Sequence, residues 1–141
     1  MRIMAIDYGD ARTGVAVSDP TGLLAGFTTV IQSHRPEEVA AEVGRLAGTH
    51  GVGELVLGLP RNMDGTEGPR AERCRLFARE LERVSGLPVS LWDERRTTIE
   101  AHAILHESGK RIKAHKKTVD AVAATLILEG YLAKKRIERG G

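Results

Sequence analysis

The chain has 141 residues, of which 41% are hydrophobic and 28% are charged, and its formal net charge is +2. These values exclude a disordered polypeptide and are typical of a globular protein with one core, so we predict a single domain over residues 1–141. Aromatic residues make up only 4% of the chain, which argues against base stacking as the main means of binding nucleic acid.

The single cysteine, Cys74, excludes an intramolecular disulfide and a zinc site built from several cysteines. We expect it to be a half-buried free thiol, which suits a reducing compartment. No apolar run is long enough to cross a bilayer, and the N-terminus has no apolar segment of the kind found in signal peptides. A cytoplasmic protein without a membrane partner is therefore expected.

The first part of the chain predicts four strands and a helix. The helix begins at Pro36, because proline is favourable in the first turn, and ends before Gly51. Pro60 stops the fourth strand. The four strands are expected at residues 2–7, 14–19, 26–31 and 54–59.

The second part of the chain predicts one more strand and three helices. They are a helix over 69–85, a strand over 89–92, a helix from Thr97 or Thr98 to His106, and a last helix that follows Thr118 and ends near Tyr131. The helix over 69–85 is expected to turn four apolar side chains inward: Leu76, Phe77, Leu81 and Val84.

This order of elements predicts an α/β fold, in which one five-stranded mixed sheet has helices on both faces. The later strands are expected to be parallel, and ligands of such sheets bind beyond the carboxyl ends of the strands. Asp7, Pro60 and the pair Asp93 and Glu94 end three of the strands. We therefore expect these residues to meet at one edge of the sheet.

Three acidic positions are candidates for chemistry: Asp7, the pair Asp93 and Glu94, and Asp120. Each has an ordinary structural explanation when taken alone, since an acid can cap a turn, pair with an arginine or stabilise the start of a helix. Converging carboxylates, however, repel one another unless a cation joins them, and their hard oxygen atoms suit Mg²⁺ or Mn²⁺. A pair of such ions can activate water and stabilise a leaving oxygen, which is the chemistry of phosphodiester hydrolysis.

Four motifs in one order make the sequence similar to the YqgF family, and the match spans nearly the whole chain. They are DYGDARTGVAVSD at residues 7–19, GLPRNMDGT at 58–66, DERRTT at 93–98 and KTVDAVAA at 117–124. The resemblance implies a ribonuclease H-like fold, related to that of the RuvC Holliday-junction resolvases. It also implies a metal-dependent nuclease that matures the 5′ end of precursor 16S ribosomal RNA in ribosome biogenesis. The alternative is a Holliday-junction resolvase-like DNA nuclease.

The resemblance further implies which residues form the site. The acidic triad of the family falls on Asp7, Glu94 and Asp120, as catalytic residues and as ligands of Mg²⁺ or Mn²⁺, with two ions expected. Glu94 is preferred to Asp93 because the resolvase relatives place a glutamate there. Strand alternation points only one of two neighbours into a site, and the choice between them stays open here. The implied partners are precursor ribosomal RNA or branched DNA and a ribosomal particle, bound by a monomer or a homodimer.

Basic residues near these acids are candidates for binding the nucleic-acid backbone. The densest basic segment directly precedes Asp120, and a solvated surface loop is its structural alternative. Contacts with phosphates would give affinity without reading the base sequence, and would make binding salt-dependent. The candidates are Arg12, Arg95, Arg96, Lys110, Arg111, Lys113, Lys116 and Lys117.

Two other classes of function compete with a nuclease. A non-catalytic nucleic-acid-binding module would keep its carboxylates for structural reasons and would hydrolyse nothing with Mg²⁺ or Mn²⁺. An ATPase of the actin and sugar-kinase type shares the pattern Asp-x-Gly-x-x-x-x-Gly that begins at Asp7. That class needs two related domains around its nucleotide, which 141 residues cannot supply.

Overall fold

A computed structural model of the chain describes residues 1–95 and 121–138. In these residues, five strands and three helices are present. Strands β1 to β5 are Arg2–Asp7, Arg12–Ser18, Ala25–Gln32, Val52–Leu59 and Val89–Asp93. Helices α1 to α3 are Pro36–Thr49, Pro69–Ser85 and Val122–Glu138.

The strands form one mixed sheet in the order β3-β2-β1-β4-β5. The first three strands pair antiparallel, whereas β4 is parallel to both β1 and β5. The predicted five-stranded mixed sheet is therefore confirmed. Because β1, β4 and β5 are parallel neighbours, their carboxyl ends lie side by side, with Leu57 opposite Ile6 and Asp93 opposite Leu59.

Alternation along the central strands builds two cores, one on each face of the sheet. Met4, Ile6 and Leu57 are fully buried on the face that packs α1 and α2. Ala5 and Val56 are fully buried on the other face, against α3. The helices thus lie on both faces, as predicted, and each large buried side chain contributes about 1.5–3 kcal/mol to the stability of the sheet.

The inward face of α2 differs from the predicted one. Leu76 and Val84 are 57% and 37% exposed, so their predicted burial was wrong, while Phe77 and Leu81 are buried as predicted. The face of α2 that contacts the sheet includes small residues, which a prediction based on large apolar side chains overlooks. Cys74 is one of them and is 4% exposed. The thiol is therefore buried rather than half-buried.

The last helix, α3, continues to Glu138 instead of ending near Tyr131. Its final turns are held by contacts that no local pattern reveals: Lys135 Nζ lies 2.6 Å from Glu54 Oε1 of β4, and Leu132 is buried. Among the described residues, no helix has the length and apolar character needed to cross a bilayer. The helix predicted to end at His106 lies outside the described residues.

Candidate active site

Asp7 and Glu94 come together at the carboxyl end of the sheet. Asp7 is the last residue of β1, and Glu94 directly follows β5. Each lies two residues after a buried side chain that packs against α3, namely Ala5 and Trp92, so both acids point to the same face. The carboxyl groups of Glu94 and Asp7 share a hydrogen bond, although β4 lies between their strands.

The environment of this pair raises the pKa of Glu94 to about 7. Loss of solvent around the carboxyl group is the largest cause, and the negative charge of Asp7 is the next. The guanidinium of Arg70, in the first turn of α2, lowers the pKa but acts more weakly. Glu94 thus keeps its proton to a higher pH than an exposed glutamate does, and a cation that binds both acids must displace that proton.

Asp93, the neighbour of Glu94, has a different set of contacts. Arg95 donates to its carboxylate from Nη2 at 2.6 Å and from Nε at 3.0 Å, and Arg61 Nη1 lies 3.9 Å from the same oxygen. The hydrogen bonds from Arg95 are the main reason why the pKa of Asp93 is lowered. Two adjacent acids are thus sorted into separate environments, one facing a carboxyl group and the other facing arginines.

These arginines also fix the segment between β4 and α2, which carries the motif GLPRNMDGT from its third residue, Pro60, onward. Arg95 Nη1 donates to the carbonyl oxygen of Met63 at 3.3 Å. Arg61 Nη2 lies 3.5 Å from Glu67, whose carboxylate also accepts from Arg75 Nε at 2.6 Å. The segment is thereby tied both to the end of β5 and to α2.

The other predicted site residues fall into two groups. Arg12 is the first residue of β2, directly after the turn that joins β1 to β2, and it is exposed. Arg95 forms an ion pair with Asp93. The rest lie outside the described residues: Asp120, Arg96, Lys110, Arg111, Lys113, Lys116 and Lys117.

Helix α2 brings two residues near the acidic pair that the sequence analysis did not single out. Arg70 and Cys74 both interact electrostatically with Glu94, and their spacing of four residues puts them on one face of the helix. Burial and the charge of Glu94 raise the pKa of the Cys74 thiol to about 11, so it stays protonated and unreactive at neutral pH. Their spacing in the first two turns of the helix that follows β4, a strand that ends at the same edge, is the signal that could have identified them.

The start of α3 lies toward the end of the sheet that carries Asp7. Near the other end of the helix, Leu132 and Lys135 line a cavity together with Arg2, at the beginning of β1. Ile127, earlier in the helix, lies next to Gly58 near the end of β4, so α3 runs opposite to β4 and β1 and its N-terminal end lies toward their carboxyl ends. Ala121, directly after Asp120 in the chain, is 1% exposed.

The acidic pair has the donor atoms that a hard divalent cation prefers. Within residues 1–95 and 121–138, no group of three or more His, Cys, Asp or Glu side chains is arranged to hold a metal ion. The two carboxyl groups of Asp7 and Glu94 are nevertheless held in contact, and this contact raises the pKa of Glu94. A cation such as Mg²⁺ or Mn²⁺, which binds one or two carboxylates and keeps several waters, fits this pair.

Comparisons with solved structures define the fold. The structure of Thermus thermophilus RuvC in complex with a Holliday junction matches with a TM-score of 0.60 at 14% identity, and 96% of each chain is covered. The fowlpox virus Holliday junction resolvase gives a TM-score of 0.57 at 13% identity, covering 95% of this chain and 99% of that chain. The fold is that of the RuvC-like resolvases, and the predicted ribonuclease H-like fold is confirmed.

Sequence comparison identifies the family. The profile of the RuvX family, described as Holliday junction resolvase, matches residues 1–134, and the chain belongs to this family. A protein of Pelotomaculum thermopropionicum named "Putative pre-16S rRNA nuclease" is 46% identical over 145 residues, covering 100% of this chain and 94% of that protein. A protein of Moorella thermoacetica with the same name is 47% identical over 133 residues, covering 94% of each. The resemblance seen in the four motifs is confirmed.

Proposed function

We propose that this protein is a metal-dependent nuclease that hydrolyses phosphodiester bonds in precursor 16S ribosomal RNA, at the 5′ end. The observation that carries the proposal is the meeting of Asp7 and Glu94 at the carboxyl end of a RuvC-like sheet. A pair of partly buried acids in contact is costly, since desolvation and the charge of Asp7 both oppose the ionisation of Glu94. A functional cation at this point explains why the fold keeps both.

The proposed metal ligands are Asp7, Glu94 and Asp120, and the expected cofactor is a pair of Mg²⁺ or Mn²⁺ ions. When bound, such ions activate water and stabilise the leaving oxygen of the substrate. The chain itself supplies the carboxylates, and Glu94 gives up its proton when the site fills. The direction of α3, which starts two residues after Asp120 in the chain, supports the assignment of the third ligand.

The proposed contacts with the nucleic-acid backbone come from Arg12, in the hairpin that follows Asp7, and from the basic segment that precedes Asp120 in the sequence. Arg95 and Arg96, next to Glu94, belong to the same proposal, and Arg95 would act while it remains paired with Asp93. Such contacts hold phosphates at either side of the scissile bond without reading bases. Low aromatic content is consistent with this mode of binding.

The names of the relatives favour ribosomal RNA as the substrate, so the proposal includes a ribosomal particle as its setting and the cytoplasm as its location. Branched DNA is the second candidate, because the family description names Holliday junctions and a structural neighbour is bound to one.

Cleavage of two substrates, measured side by side, tests the proposal. We would compare a 5′ fragment of precursor 16S ribosomal RNA with a four-way DNA junction, in Mn²⁺, Mg²⁺ or EDTA. Cleavage of the RNA is expected with either metal, and Asp7→Asn is expected to reduce it more than about 100-fold because a metal ligand is lost. Asp10→Asn is the matched control, since Asp10 lies three residues away with 80% of its side chain exposed.

Three outcomes would change the conclusion. Full activity of Asp7→Asn would contradict the assigned site. Cleavage of the junction alone would make the protein a DNA nuclease. Binding of both substrates without cleavage in any metal would favour the non-catalytic module.

A further inference from the structure

Gly58 lies on β4 between the two strands that carry the acidic pair. It pairs with Trp92, which comes two residues before Glu94, and it is buried. Val56, two residues earlier, packs toward α3, so position 58 faces the same side of the sheet as Asp7 and Glu94. A glycine inside a strand weakens it and often marks a place where another group approaches the backbone closely.

That close approach is made by Glu94. A β-carbon at position 58 would lie 2.4 Å from Oε1 of Glu94 and 2.9 Å from its Cγ. It would also lie 2.8 Å from Cδ1 of Ile127 in α3. Non-bonded carbon atoms pack best at about 3.5–4.0 Å, so no residue other than glycine leaves these groups in place.

All three crowded atoms belong to side chains and none to the backbone: two are side-chain ends, Oε1 of Glu94 and Cδ1 of Ile127, and the third is Cγ of Glu94. The backbone can stay where it is, because Glu94 and Ile127 can change rotamer. The Glu94 carboxyl group would leave the surface of β4, and with it the hydrogen bond to Asp7. The fold therefore tolerates a small side chain at position 58 better than the acidic pair does.

We propose that Gly58 is a positioning residue of the active site, whose missing side chain lets Glu94 cross β4 and reach Asp7. This inference rests on the proposed function, since the position of Glu94 matters for catalysis only if the pair binds the metal. Gly58 is the first residue of the motif GLPRNMDGT. Its proposed role, to leave space for Glu94, is separate from that of the loop residues that follow it in the motif.

The test compares Gly58→Ala with Gly130→Ala, a second glycine at which a β-carbon is crowded. At position 130 the new atom would lie 2.8 Å from Cζ2 of Trp92, inside the α3 core, and no atom of Glu94 is among its near neighbours. Crystal structures, thermal unfolding and Mn²⁺ titration by calorimetry would be recorded for both variants, for Glu94→Gln and for Gly58→Ala combined with Glu94→Gln. None of these measurements needs a nucleic-acid substrate.

For Gly58→Ala we expect a folded protein whose unfolding midpoint lies within about 5 °C of the wild type. Its crystal structure should show the Glu94 carboxyl group displaced from Asp7, and its Mn²⁺ affinity should fall at least about 10-fold. In the Glu94→Gln background the same alanine should cause no further loss of affinity, because the effect passes through Glu94. Gly130→Ala should lower the unfolding midpoint and leave Mn²⁺ affinity unchanged.

An unmoved Glu94 in the crystal structure of Gly58→Ala would overturn this inference and leave the proposed function standing. Unchanged Mn²⁺ affinity in Glu94→Gln would instead overturn the proposed metal site, and this inference with it. If Gly58→Ala does not fold, adding Ile127→Val removes the crowded Cδ1 and keeps the contact with Glu94. A displaced Glu94 is expected in that double variant too, and an undisplaced one would again overturn the inference.

Discussion

At the scale of single residues, the burial of Glu94 beside Asp7 makes stability depend on pH. The pKa of Glu94 rises from its ordinary value of 4.5 to about 7 in the folded protein. Between these values the folded state binds more protons at Glu94 than the unfolded state, so the contribution of Glu94 to stability is fully present below about pH 4.5 and is lost as the pH rises through 7. We expect the metal-free wild type to lose roughly 1–3 kcal/mol over this range.

Urea unfolding in EDTA, at pH 5 and at pH 8, would measure this loss. Glu94→Gln should remove most of it, because a glutamine does not titrate. Glu82→Gln, at an exposed position of α2, serves as the control and should behave like the wild type. If the wild type and Glu94→Gln showed the same pH dependence of stability, the pKa of Glu94 would not be raised in the folded protein.

At the scale of elements, the end of β5 places two adjacent acids in different environments. Asp93 holds Arg95 and Arg61, and through them the segment that links β4 to α2. Asp93→Asn should therefore loosen this segment, with amide hydrogen exchange at Gly65 and Thr66 about 10-fold faster, and should leave Mn²⁺ affinity near that of the wild type. Loss of Mn²⁺ binding as large as in Glu94→Gln would mean that Asp93 is a metal ligand as well.

The elements also show which features a sequence can predict. Strand ends were predicted within two residues because apolar runs stop at glycine, proline and acidic residues. That only one of Asp93 and Glu94 points to Asp7 follows from alternation. Whether that residue is Asp93 or Glu94 depends on which face of the sheet α3 covers, and a local pattern does not reveal this. The preference for Glu94 came from the resemblance to the resolvase relatives. The extension of α3 to Glu138 depends on Glu54, which is far away in the chain.

At the scale of the whole molecule, two cores hold the sheet from both faces and fix the relative positions of β1, β4 and β5. The site therefore depends on contacts between residues that are distant in sequence. Gly58 meets Glu94 and Ile127, 36 and 69 residues further along, so a local pattern gives no hint of its part in the site. The motifs indicated that Gly58 and Glu94 belong to one site. The physical reason is the steric fit between them, which only the three-dimensional structure shows.

Calorimetric titration of Mn²⁺ at pH 7, in two buffers of different ionisation enthalpy, tests most directly whether Asp7 and Glu94 form one cation site. The wild type should bind Mn²⁺ with a measurable release of protons, because Glu94, whose pKa is raised, must ionise. Asp7→Asn and Glu94→Gln should each bind at least about 10-fold more weakly, and Glu94→Gln should release no proton. Equal affinity and equal proton release in all three proteins would contradict a metal site at this pair of acids.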